Sequence, residues 1–121
     1  MRVQRMVTYH DYEGIALELD ERERMAKDLG KSSKAMILRN HGLLTLDETV
    51  REAFSLMYYL DCACQIQIDA LSGGMENVLE MSKHAGDTAA AQFDRPNRIG
   101  AYKDWPALLR MLDRKGINYR E

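Results

Sequence analysis

The chain has 121 residues, 45% hydrophobic and 30% charged, a balance that fits one globular domain and excludes a disordered segment. A formal net charge of −2, with acidic and basic residues interleaved, leaves no basic face for a nucleic-acid backbone. No apolar run approaches the roughly 20 residues of a spanning helix, and Met1–Met6 has basic residues with no apolar core behind them, so the expectation is a soluble, cytoplasmic protein with no membrane partner.

Residues 3–9 carry β-branched and aromatic side chains, with Val3, Arg5, Val7 and Tyr9 on one face of a predicted strand. His10–Gly14 reads as a polar loop. Asp20, with Glu23 three residues on, has the pattern of a capping box, and Gly30 supplies the stop of the short helix that follows. Ala35-Met36-Ile37-Leu38 is a continuous apolar run of strand length, as expected for a strand covered on both faces. It ends at Asn40-His41-Gly42, and Leu43–Leu46 forms a further short strand.

Thr49 and Glu52 make a second capping box and open the longest helix, predicted to run to Leu71 before Gly73-Gly74. Val50, Phe54, Met57, Cys64, Ile68 and Leu71 form one stripe, and Leu56, Tyr59, Leu60, Ala63, Ile66 and Ala70 cover much of the remainder. A helix apolar nearly all round is buried on several sides, so further polypeptide or a second subunit must lie against it. Cys62 and Cys64 project about 200° apart on that helix, which suits two small buried side chains and neither a disulfide nor a shared metal. Residues 75–91 read as a weaker helix with Val78, Met81 and Ala85 in register and Gly86 as a flaw. Residues 92–103 read as a polar connection. Asp104 then caps a final helix with Pro106 in its first turn, Leu108, Leu109, Met111 and Leu112 as its packing surface, and Gly116 as its stop.

Three histidines are available as neutral nitrogen ligands, and three plus an open position is the usual make-up of a catalytic zinc site. No His-x-His, His-x-x-x-His or Cys/His cluster joins His10, His41 and His84. His84 reads as a solvated helix residue, His10 as a loop residue bonded to backbone, and the Asp11, Tyr12 and Glu13 cluster as solvated loop. His41 differs: it follows a buried strand and precedes a glycine that lets the chain turn, which places it at the mouth of a sheet, where α/β folds meet ligands. The doublet Tyr58-Tyr59 reads as packing. No dinucleotide-binding, Walker or nucleophile-elbow motif is present.

Asn40-His41-Gly42-Leu43-Leu44-Thr45, preceded by Ala35–Arg39 and followed by Glu52-Ala53-Phe54 and Tyr58-Tyr59-Leu60, resembles the class II aldolase/adducin family. Tyr9–Ala16 with Asp20–Arg24 is similar to its bacterial adducin-like members, and the resemblance spans residues 7–74, with a weaker likeness around Trp105–Arg110. It implies an α/β fold, a three-layer α/β/α structure with a largely antiparallel central sheet and long C-terminal helices. It also implies homo-oligomers with active sites near their interfaces, and zinc or another divalent metal held by three histidines, two from a His-x-His motif and one from an Asn-His-Gly turn. His41 matches the last of these. Three neutral imidazoles leave zinc its charge and open positions for a substrate's hydroxyl and carbonyl oxygens.

The His-x-His pair and the acid/base carboxylate fall upstream of residue 1 in that pattern, Asp47 stands where many members have glycine, and Tyr119 has no motif that matches it to the family's proton-donating tyrosine. The expectation is therefore that residues 1–121 are the C-terminal part of such a domain. In full-length form it is a metal-dependent lyase or related enzyme on a small sugar-like or hydroxy-carbonyl substrate, and the chain alone is inactive. Two other readings stand beside it: a non-enzymatic, adducin-like assembly domain, and a metal site rebuilt from His10, His41 and His84.

Overall fold

Short apolar runs supply the strands, and the length of each connection sets the sense of their pairing. The computed structural model describes residues 7–11, 19–93 and 99–119, so Val3, Arg5, Tyr12 and Glu13 lie outside the described residues. The central strand β2 (Ala35–Leu38) lies between β1 (Val7–His10) and β3 (Gly42–Thr45). A tight turn joins β2 to β3, so the two run antiparallel. β1 reaches β2 through helix α1 (Leu19–Leu29), and such a crossover returns the chain in parallel. Among the described residues the sheet is therefore mixed, one pairing of each sense.

Alternation along the strands assigns their faces. Val7, Ala35 and Leu43 lie on the face covered by helix α2 (Val50–Ser72), where Ala35, Leu56 and Leu60 form the core with Cys64 at its edge. Ala35 and Met36, one on each face, are both 1% exposed, as the continuous apolar run predicts for the middle strand. Thr8 and His10 lie on the other face of β1, and His10 bonds there to Asp28 of α1. Thr45 Oγ1 donates to the Ala53 carbonyl at 3.0 Å and ties β3 to the first turn of α2.

Helix ends show where local signals hold. Thr49 is the N-cap of α2, accepting from the Glu52 amide, but Glu52 takes its return bond from the Thr49 hydroxyl at 2.6 Å and not from the Thr49 amide. Gly30, at φ +69°, terminates α1 as expected. Asp20 is not a cap: α1 already includes Leu19, and Asp20 and Glu21 fill the first turn, where the helix dipole favours acids.

The single helix expected over residues 75–91 is instead a 3-10 turn (Met75–Asn77), an irregular stretch and helix α3 (Lys83–Phe93). Gly74, at φ +94°, turns the chain, and Ser82 Oγ accepts from the Ala85 amide to start α3. Helix α4 (Ile99–Arg114) begins before the expected cap, so Asp104 and Pro106 both sit inside it. Packing explains this: Trp105 meets Phe54 of α2 edge-on at 5.5 Å, and tertiary contact of this kind outweighs one missing backbone donor.

Candidate functional site

Arg39, Asn40 and His41 form the link between β2 and β3. Asn40 takes the left-handed conformation at φ 58°, which an asparagine side chain tolerates. The expectation that Gly42 supplies the backbone freedom is thereby corrected, since Gly42 is a strand residue and a Cβ there would meet nothing within 4 Å. The His41 amide donates to the Leu38 carbonyl at 3.0 Å and the Arg39 amide to the His10 carbonyl at 2.9 Å. These bonds bring the turn and the end of β1 to the same edge of the sheet, with the His41 side chain exposed. Beside it the Arg39 guanidinium lies 5.4 Å from the Tyr9 ring centre and 3.3 Å from Asp11.

His10 is a strand residue, 4% exposed, and not a loop residue bonded to backbone. Its Nδ1 lies 2.7 Å from Asp28 Oδ2. Two signals in the sequence are consistent with this placement: the β1 alternation continues one residue past Tyr9, and Asp28 sits a helical repeat from Met25 and Glu21 on α1. His84 is exposed on α3, as expected. The three histidines do not converge: among the described residues no three His, Cys, Asp or Glu side chains stand where they could hold a metal ion. The groups present thus do not fit a complete zinc site, and His41 is the one histidine placed at an open edge.

Asp47 is anchored. Its side chain is 5% exposed, accepts from the Lys34 ammonium at 2.6 Å and from the Glu48 amide at 2.9 Å, and so secures the approach to α2. Tyr119 donates to Asp113 at 3.1 Å within the C-terminal segment.

Tyr58 and Tyr59 are more open than packing residues, 60% and 44% exposed. With Phe54, Trp105, Arg51 and Asp104 they line a groove of about 320 Å³ between α2 and α4. The Cys62 thiol, one turn along α2, pushes the Tyr58 phenol above its ordinary 10.0.

Residues 1–68 match the family described as Class II Aldolase and Adducin N-terminal domain. The chain belongs to the class II aldolase/adducin family. A Caulobacter vibrioides protein named for the class 2 aldolases is 43% identical over 115 residues, covering 95% of this chain and 44% of that one. Human gamma-adducin is 37% identical over 131 residues, covering 94% of this chain and 19% of its own length. A crystal structure of an aldolase II superfamily protein from Pseudomonas syringae superposes with a TM-score of 0.84 at 43% identity, over 96% of this chain and 46% of that one. This class II aldolase/adducin chain thus spans less than half the length of these relatives. Its mixed α/β fold is that of the family, and among the described residues no helix is long and apolar enough to cross a membrane.

Proposed function

We propose that this chain supplies the third histidine, His41, to a divalent-metal site of a class II aldolase/adducin-type protein whose other ligands lie outside residues 1–121. The observation that carries the reading is the setting of His41, a side chain exposed in a tight turn whose amide is anchored to Leu38. In the full-length protein this portion is the C-terminal part of a three-layer α/β/α domain with a largely antiparallel sheet. That protein is cytoplasmic and homo-oligomeric and acts as a metal-dependent lyase or related enzyme on a small hydroxy-carbonyl substrate. One imidazole gives neither the affinity nor the geometry of a catalytic zinc, so the chain alone is inactive.

The test is metal analysis and aldol-cleavage assay of the full-length protein, its His41→Asn variant and the 121-residue chain. The expected result is stoichiometric metal and cleavage in the first, loss of both in the second, and no cleavage by the third. Zinc-dependent cleavage by the chain alone, or full metal content in His41→Asn, overturns the reading. A second reading, a non-enzymatic assembly domain, draws support from the adducin relatives, which match 94% of the chain. An intact His-x-His and a nearby acidic residue upstream favour the enzyme, and their loss favours the scaffold.

A further inference from the structure

Two buried polar atoms on one face of β1, Thr8 Oγ1 and His10 Nε2, have no hydrogen-bond partner among the described residues. Buried polar groups are almost always satisfied, so each of them points to a partner. They lie on the same side of β1, because residues two apart on a strand share a face, with Cα atoms roughly 6.6 Å apart. One oxygen can hydrogen-bond to both atoms when they stand within about 5.6 Å of each other, twice a bond of about 2.8 Å. The chemistry of that oxygen follows from the other side of the ring. Asp28 Oδ2 lies 2.7 Å from His10 Nδ1, and an ionised carboxylate only accepts, so Nδ1 carries the proton. In the neutral ring Nε2 is then a lone pair, open to a donor.

We propose that Thr8 and His10 form a hydroxyl-binding site beneath β1, in which one bound oxygen donates to His10 Nε2 and accepts from the Thr8 hydroxyl, while Asp28 sets the tautomer. The bound hydroxyl is an internal water or the hydroxyl of a small polyol or hydroxy-carbonyl compound. The site is independent of His41 and of any metal, and stands or falls separately from the lyase reading. Asp28, 43% exposed on its side chain, links the buried His10 ring to the surface.

Nitrogen-15 NMR of the histidine side chains in the 121-residue chain tests the proposal, with exposed His84 as the reference for a ring in solvent. The expected result is a His10 ring protonated at Nδ1, with Nε2 displaced toward a hydrogen-bonded acceptor. Thr8→Val reverses the displacement while preserving side-chain shape, and Asp28→Asn removes the tautomer preference. Displacement in buffer alone, with a long-lived water contact, identifies water as the occupant. Displacement only on titration with dihydroxyacetone identifies a ligand hydroxyl. A His10 ring protonated at Nε2 overturns the proposal. So does an Nε2 signal that reports an unengaged lone pair in both buffer and saturating dihydroxyacetone, or one that Thr8→Val leaves unchanged.

Discussion

At the turn that presents His41, the left-handed backbone of Asn40 is the residue on which the geometry depends. Replacing it by glycine keeps the conformation accessible, whereas a β-branched side chain is strained there. Asn40→Val is therefore expected to destabilise the chain by about 1–2 kcal/mol in urea denaturation, with Asn40→Gly close to wild type; equal stability of the two variants would show that the turn relaxes. Thr49→Ala removes the α2 cap and is expected to cost about 1 kcal/mol by the same measurement, with Thr49→Ser recovering most of it. Tyr58 gives the pH-dependent prediction. Its phenol holds its proton to higher pH than an isolated tyrosine chiefly because of Cys62. Cys62→Ala should thus move its ionisation down toward the ordinary value, as read by phenolate absorbance against a Tyr58→Phe reference. An unmoved titration would assign the shift to another neighbour.

Among the elements, α2 is covered unevenly along its length. Leu60 is 1% exposed against the sheet while Ile68 is 61% exposed. Leu60→Ala is expected to cost about 2–5 kcal/mol and Ile68→Ala to stay within about 0.5 kcal/mol in the isolated chain, compared by thermal unfolding. A large Ile68 effect would mean that this face is already covered in solution. β2, β3 and α2 are legible in the amino-acid sequence because each has a strong local signal: a short apolar run, a capping threonine, a double-glycine stop; β1, Val-Thr-Tyr-His, has only weak patterning, and its last residue reads as loop. The C-terminal helices are not legible in this way. Gly86 and Pro106 are weak local punctuation, and where helices stop and start after residue 73 depends on the Gly74 turn, the Ser82 cap and the Trp105–Phe54 contact.

Across the whole molecule, α2 carries more apolar surface than residues 1–121 cover, leaving Val50, Ile66 and Ile68 at 76%, 64% and 61% exposure, as expected of a helix that needs further polypeptide or a second subunit against it. The chain spans 44% of one relative and 46% of another, so proteins of their length have further polypeptide that could lie against such a face. Exposed apolar side chains on opposite sides of α2 are expected to favour association of the chain by itself. Sedimentation velocity is expected to show concentration-dependent oligomers that Ile66→Lys with Ile68→Lys reduces, with little change in unfolding midpoint. A wild-type chain monomeric at all concentrations would count against a subunit contact here.

Asn40-His41-Gly42 is readable as a candidate site because it is a local motif: three consecutive residues after a buried strand carry both the family likeness and the exposed position. His10 is not readable in the same way, because nothing in its own neighbourhood names Asp28, eighteen residues away, as its partner. The amino-acid sequence by itself thus determined β2 and β3, the main helix, the family and the place of His41, all of which rest on contacts between near neighbours in the chain. Only the tertiary structure decided the order of the strands, the burial of His10, the anchoring of Asp47 and the open groove between α2 and α4. Each of these arises where separate segments meet, and side-chain patterns along one segment do not encode the neighbour it will find.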